Sequence, residues 1–567
     1  MVHPIESHWL CCGPIDQTFL EREELEDNFN NIVKWLIFGL LDFDFISESL
    51  LPTLCPSSVS KTFTVGAMEY DMIVVPGCRT LRATTVERLE SFVQSGGHVV
   101  FMGEPAHLLD AKASDRVREL ARQCVVIPVS KSSLLTSLDE FRDVDIRLEN
   151  GERPDNFLYQ MRCDGDGRWL FICHSEDKRP REDSAGYPFM ETIEIRISGV
   201  WNPTLYNAMN GNICTCSAVS DQNDTRVACE ISIHDSILLH LEPSVPSCGT
   251  DNVERAELDR IQESIEIMDP VAITLSEPNA LLLDMAEYSF DGGEWESEEE
   301  ILRIDQLFRE KLGYLLRTDA IPQPWVNPST DSHSHQLALR FTFHSNVDLK
   351  SPFLALENPE ATQIMMNGVC IPSKVTGWYV DESIKTIALP DISAGKSEIV
   401  LTIPFGPTTN VEWCYLLGDF GVRVDGRLKR IIDPVRTISF GDWTVQGLPF
   451  YTGNLVYHCA ITSQGGRLIL EATNFTNPLL SVSLNDTEKG KIAFAPFKLD
   501  LGYVEEGVHT LEITAYGHRF NAFGCVHNSD PDFRWFGPNA WRTSGYSWSY
   551  QYQLKPMGVM TSPRILR

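Results

Sequence analysis

A chain of 567 residues suggests roughly three to four domains, and its 43% hydrophobic content suffices for several packed cores. A formal net charge of −32 excludes nucleic acid and anionic membrane surfaces as natural partners, because both would repel it. The 15 cysteines, odd in number and scattered without CxxC pairs, fit neither a disulfide framework nor a zinc site and read as reduced, mostly buried thiols.

The N-terminal stretch MVHPIESHWLCC has no basic region and no long apolar run, so no signal peptide is expected. No stretch approaches membrane-spanning length. A cytoplasmic protein without membrane contact is the expectation, and the sequons at Asn223, Asn474 and Asn485 would matter only after secretion.

Val2 to Leu10 reads as a first strand, placing His3 and Trp9 on one face and Glu6 and His8 on the other. Glu21 to Leu41 follows as a long helix with Leu25, Phe29, Ile32, Val33, Leu36 and Leu40 on its apolar face. Asp42 to Ile46 reads as a second strand. The stretch from Tyr70 to Asp110 organises this part of the chain. Met72–Val75 and Val99–Met102 are short, fully apolar runs. Between them Val86, Leu89, Phe92 and Val93 share one helical face, with Thr84 or Thr85 as cap and Ser95-Gly96-Gly97 as stop. Strand, helix, strand with two apolar strands is a βαβ unit with parallel, buried strands. The loops Gly77-Cys78-Arg79 and Gly103-Glu104-Pro105 stand at the strands' carboxyl ends, where an open α/β sheet places a ligand. Neither carries a phosphate motif, and a structural role is the expectation there. Val125–Ile127, a helix from Ser133 to Phe141 and a last strand from Arg168 to Cys173 complete a first domain over residues 1–180.

From Glu191 the pattern changes to period two, with Ile193, Ile195 and Ile197 on one face and similar runs at Val227–Ile233 and Ile237–Leu241. This reads as a small antiparallel domain over 187–245. Residues 246–330 read as a mixed segment: Asp284 follows an apolar run, Glu298 to Leu316 is an amphipathic helix, and Pro322 to Trp325 is a linker.

The rest is β-rich and carries a divergent internal repeat, Gln363–Phe405 and Leu480–Gly517. Each copy has a strand and a hairpin turn at Asn367-Gly368 or Asn485-Asp486. An aspartate (Asp381, Asp500), a glycine turn (Gly395, Gly507) and an alternating strand then follow. Two sandwiches are expected, over 331–435 and 436–567. In the tail, Tyr546, Trp548, Tyr550 and Tyr552 alternate like one buried strand face. Trp535 and Trp541 lie in a Gly/Pro/Asn-rich loop and are the better ligand candidates, with Trp443, Tyr451, Arg519, Asn521 and His527 lining the same sandwich edge. His333 and His335 are too few to hold a metal, and no Ser-His-Asp set with a GxSxG elbow occurs, so no metal or cofactor is expected.

The Asn-Gly strand, the G-x-H-T-L-x-I run and Asn521-Ala522-Phe523-Gly524-Cys525-Val526-His527 resemble the sugar-binding jelly roll of glycoside hydrolase family 2. HPIESHWLCCGP, FDFISESLLP, VVPGCRTLR and GGHVVFMGEP resemble the amidotransferase-like domain of large α-L-rhamnosidase-like hydrolases and some β-galactosidases. The resemblance implies a flavodoxin/amidotransferase-like α/β domain followed by galactose-binding-like β-sandwiches, and a glycosidase-like protein acting on or binding glycosides. In such enzymes the acid and base carboxylates sit on a barrel preceding this region, for which the chain has no room. Where the amidotransferases carry a cysteine, the second loop has Glu104. A glycosidase needs two carboxylates roughly 5–10 Å apart; Glu6, Glu48 and Glu104 are the weak candidates. The alternatives are a non-catalytic carbohydrate-binding or scaffold protein and an accessory protein handling a glycosylated small molecule. The barrel-facing surface that the resemblance implies would favour self-association or a barrel-bearing partner.

Overall fold

A computed structural model describes residues 1–56, 59–175, 190–208, 211–232, 235–244, 264–317, 334–531, 533 and 537–567. They form two compact units, one from the described residues up to 244 and one from those beyond 264. The architecture is α/β followed by antiparallel β-sandwiches.

In the first unit, strands Met72–Val75, His98–Met102 and Val125–Ile127 form a parallel sheet in that order. Helix Ala83–Gln94 crosses between the first two and buries Val86, Leu89 and Phe92. The first predicted strand is shorter than expected. Val2 makes one parallel bridge to Ile46 and donates its N–H to the Val74 carbonyl at 2.9 Å; after Pro4 the chain turns into helix Ile5–Leu10. Pro4 fixes φ and offers no N–H, so it ends the extended segment and opens the helix. The alternation of His3 and Trp9 against Glu6 and His8 is lost with the strand. The expected strand Asp42–Ile46 reduces to the bridge at Ile46. The long helix is Ile15–Phe38.

Arg168–Cys173 does not close the α/β sheet. It lies in strand Gly167–His174, antiparallel to Phe157–Asp164 and Ser236–Pro243. The tight turn at Gly165-Asp166, with Gly165 at φ 58°, commits it to that hairpin. A facing sheet orders Ala218–Ser220, Asp224–Ser232, Met190–Ser198 and Val144–Leu148. Their shared core holds Phe157, Leu170, Ile172, Ile193, Ile195, Ile197 and Leu239. The small β-domain therefore begins near residue 144.

The second unit contains two sandwiches. The first has a five-stranded sheet ordered Asn279–Leu283, Cys414–Gly418, Phe353–Glu357, Asp381–Ala388, Val375–Tyr379. A larger sheet built on His335–Ser345 and Gly395–Phe405 shares its core. Strands from Asn279 to Glu300 thus belong to this sandwich. Helix Ile301–Leu312 is capped by Glu300, whose carboxylate accepts from the N–H groups of Leu302 and Arg303 at 3.1 Å; Gly313 at φ 69° ends it. Pro322 to Trp325 lies outside the described residues.

The second sandwich is wound around two long antiparallel strands, Leu455–Glu471 and Lys498–Ala515. The repeat is plain in the pairing. Hairpin Gln363–Met366/Val369–Ile371 adds to the edge of Gly395–Phe405, and hairpin Leu480–Leu484/Thr487–Ile492 adds to the edge of Lys498–Ala515. Both turns place their central residues at positive φ: Asn367 at 47° and Gly368 at 79°, Asn485 at 49° and Asp486 at 62°. That is the type I′ geometry the sequence predicts.

Candidate functional site

In the α/β sheet, order reverses between Val2 and Met72–Val75; helix Ile5–Leu10 beyond the first carboxyl end carries Glu6 and Ser7, and the loop beyond the second carries Cys78. The structure brings Glu6 and Glu48 together there and leaves Glu104 apart and exposed. The Glu6 carboxylate accepts from Arg82 Nε at 2.8 Å, and its other oxygen is buried without a hydrogen-bond partner among the described residues. Glu48 accepts from the Arg82 N–H at 2.7 Å; burial pushes its carboxyl up to about 7. Burial, followed by the charges of Glu48 and Glu6, raises the Cys78 thiol far above its usual range. A thiol so disfavoured as thiolate is no nucleophile.

An open constellation lies beside the first sandwich of the second unit. A groove of about 640 Å³ is lined by Glu277, Phe353, Thr376, Trp378, Tyr379 and Arg519, among others. Trp378 sits on strand Val375–Tyr379, whose register shifts on both sides of the Gly377–Trp378 pair. Such bulges re-aim side chains, and Trp378 is 57% exposed. The next residue, Tyr379, is buried; its hydroxyl faces Thr452 and Glu277 without a well-formed hydrogen bond among the described residues. Val380 then takes φ 64°, a left-handed conformation that a β-branched residue adopts only under constraint.

Arg519 follows the strand Lys498–Ala515 and forms a two-pronged ion pair with Glu277: Nη1 donates to Oε1, and Nη2 to Oε2 at 3.0 Å. Nη1 also reaches Thr452 Oγ1 at 3.3 Å. Two glycines make this approach possible. A Cβ on Gly453 would stand 2.5 Å from Glu277 Cγ, and one on Gly517 would stand 2.0 Å from the Thr452 carbonyl oxygen. The groove offers an exposed indole face and a fixed carboxylate–guanidinium fork. That set can hold a ring with an apolar face and polar rim.

The other predicted residues are placed elsewhere. Trp443 is fully buried and Tyr451 is 1% exposed; both belong to the core of the second sandwich. Asn521 is buried and bonds the main chain of Lys555 in both directions, at 2.8 and 2.9 Å. Trp541 is half-buried, packs on the first sandwich's core and donates Nε1–H to the Phe523 carbonyl at 2.9 Å. Trp535 and His333 lie outside the described residues. His335 pairs with Asp291 at 2.7 Å.

His527 enters a buried network that sequence reasoning did not foresee. Its Nε2 bonds Asp284 Oδ2 at 2.8 Å and its Nδ1 the Ser549 carbonyl at 2.8 Å. Asp284 Oδ1 accepts from Tyr552 at 2.9 Å and from Lys429. Burial alone would raise the Asp284 carboxyl, but Lys429 and His527 hold it well below the carboxylate range. Nearby, Glu300 accepts from Trp413 Nε1 at 2.6 Å, and burial pushes it up to about 7. Both carboxylate oxygens of Asp284 and of Glu300 accept hydrogen bonds from described residues, as a network that holds the fold together requires. Among the described residues no group of three or more His, Cys, Asp or Glu could hold a metal, and no helix is long and apolar enough to cross a membrane.

No protein-family model matches the chain, and no curated protein matches it. Solved structures with similar folds include glycoside hydrolases. A rhamnosidase from Novosphingobium sp. PP1Y aligns over 92% of this chain and 36% of its own, at 13% identity and a TM-score of 0.42. The α-L-rhamnosidase of Streptomyces avermitilis, solved with L-rhamnose, aligns over 67% of this chain and 31% of its own, at 11% identity and a TM-score of 0.20. A β-galactosidase from Bacillus circulans sp. alkalophilus aligns over 38% of this chain and 37% of its own, at 10% identity and a TM-score of 0.24. The chain spans about a third of the length of each.

Proposed function

We propose that the chain is a glycosidase-like protein that binds carbohydrate without cleaving it, in the groove beside Trp378. The observation that carries this reading is the exposed indole next to the Glu277–Arg519 fork. A sugar presents CH groups to the ring and hydroxyls to the fork, so the two features address one ligand from two sides. A surface tryptophan facing only water has no comparable partner.

The binding reading is preferred to hydrolysis because the carboxylates of the α/β sheet are occupied. Glu6 is tied to Arg82 and Glu48 to the Arg82 N–H. Calorimetric titration with L-rhamnose and D-galactose tests the reading. Saturable binding that weakens in Trp378→Ala and Arg519→Ala supports it; binding unchanged in both variants refutes it. Aryl glycosides of rhamnose, galactose, glucose and fucose should remain uncleaved. Turnover that vanishes in Glu6→Gln or Glu104→Gln would replace binding by catalysis in the α/β domain.

A further inference from the structure

A second cavity, of about 430 Å³, opens in the first sandwich and shares no lining residue with the groove. Leu356, Leu401, Ile403 and Pro404 give it apolar walls, and Glu357 and Glu412 give it two carboxyl groups.

The polar wall is held in place from behind. Arg309 is bonded to Asp305 at 2.9 and 3.0 Å and donates to the carbonyls of Pro407 at 3.0 Å and Thr409 at 2.5 Å. Arg317 donates to Asn410 Oδ1 at 2.9 Å and to the Thr409 carbonyl at 3.1 Å. Asn410 passes the constraint on by donating Nδ2–H to Glu357 Oε2 at 2.9 Å. Arg542 is buried, and its Nε and Nη2 have no hydrogen-bond partner among the described residues; Nη2 stands 4.0 Å from Glu412 Oε1 and 3.8 Å from Asp305 Oδ2.

The chemistry of the ligand follows from this inventory. Arg309, Arg317 and Arg542 equal Asp305, Glu357 and Glu412 in number, and burial pushes the Glu412 carboxyl up to about 7, so the surroundings carry no excess negative charge to select a cation. The Glu412 carboxyl group accepts no hydrogen bond from a described residue, and Glu357 keeps one carboxylate oxygen free of them. Carboxylate oxygens facing a cavity call for O–H donors, and the apolar wall calls for a CH face. We propose that this cavity binds a neutral sugar through adjacent hydroxyls donated to Glu357 and Glu412, independently of the groove at Trp378. The proposal shares the carbohydrate class with the function given above but none of its residues.

The test is calorimetric titration of the full chain with L-rhamnose, D-galactose and D-galactosamine, in the parent protein and in Glu357→Gln, Glu412→Gln and Trp378→Ala. Both glutamine variants keep side-chain size, and their melting temperatures should match the parent's. Loss of a hydrogen bond to a charged group corresponds to roughly tenfold or more in affinity. The expected result is two binding steps, one weakened at least about tenfold by either glutamine variant and untouched by Trp378→Ala. A single step weakened by Trp378→Ala and unchanged in both glutamine variants overturns the cavity site and leaves the groove standing. A single step abolished only by the glutamine variants does the reverse. No binding of either neutral sugar overturns both. Binding of D-galactosamine at least about tenfold tighter than D-galactose would make this a cation site and overturn the neutral-sugar assignment.

Discussion

The two sandwiches of the second unit share a hairpin, a turn geometry and a closing strand, yet they fill their interiors differently. The second is built on Trp443, Tyr451, Tyr457 and aliphatic residues, and among the described residues its strands bury no charged side chain. The first buries Asp284, Glu300, Asp305 and Arg309 at 2% exposure or less, and packs His527 against Asp284. A common backbone plan therefore does not dictate a common core. Apolar packing supplies stability wherever volume is filled, whereas buried charge costs solvation and is tolerated only where partners are fixed. Trp378 of the groove and the second cavity both belong to the sandwich that buries these charges within its apolar core.

The contrast can be broken first at Asp284. Asp284→Ala strands Lys429 and His527 without their carboxylate, and loss of one partner of a buried pair costs about 3–5 kcal/mol. Trp443→Ala in the other sandwich should cost a similar amount, about 3–5 kcal/mol, by opening a cavity. Urea denaturation reads both. The two variants separate when pH is varied, because only the first removes a titrating group. A loss below about 1 kcal/mol for Asp284→Ala would show the charged network to be dispensable.

Acidity sharpens the same contrast. Burial raises Glu300 from 4.5 to about 7 in the folded protein. Over that interval the folded state holds a proton that the unfolded state has released. Stability from this group is complete below about pH 4.5 and is lost as pH rises through about 7. His527, raised by Asp284 against the effect of burial, loses its contribution in the same direction. Asp284, held low, loses its contribution only in acid. Glu300→Gln should flatten the fall in urea midpoint between about pH 5 and about pH 8, and an unchanged profile would remove Glu300 from the account.

At the groove the expected effects are smaller. Trp378→Ala should leave stability within about 0.5 kcal/mol, as for an exposed residue, and should weaken sugar binding by about 1 kcal/mol, by analogy with aromatic pairs. A large melting shift without change in affinity would assign Trp378 to packing. The smallest effect concerns Val380. Val380→Gly removes the cost of φ 64°, of order 1 kcal/mol, against lost packing of a half-buried side chain. The melting temperature should move little, while affinity falls as the neighbouring Tyr379 loses its constraint.

What could be read in the sequence was local. Asn367-Gly368 and Asn485-Asp486 announce their hairpins because type I′ turns select residues that accept positive φ. The βαβ unit is legible because its strands are apolar throughout. Arg519 lines the groove, while the aromatic that faces it, Trp378, is not among the ligand candidates the sequence offers. Trp378 stands inside the quoted repeat, where alternation alone would assign it to a sheet face; Gly377, a glycine within a strand, was the available sign of a bulge. Trp443 and Tyr451 read as ligand aromatics because burial depends on the rest of the fold. The Asp284–His527 bond joins residues 243 positions apart, and no periodicity reports a contact of that span. The first strand failed at Pro4, where a proline after His3 turned the chain into a helix.

Gly517 meets the carbonyl oxygen of Thr452 so closely that no side chain fits between them. The rear of the groove is thus main chain against main chain, and its shape does not depend on which side chains surround it. Ligand preference can drift by exchange at Thr376 and Trp378 while the backbone that presents them stays fixed. For an engineer this divides the site into a frame and an alphabet: libraries at those two positions retain the fold, and any residue larger than glycine at 517 destroys it.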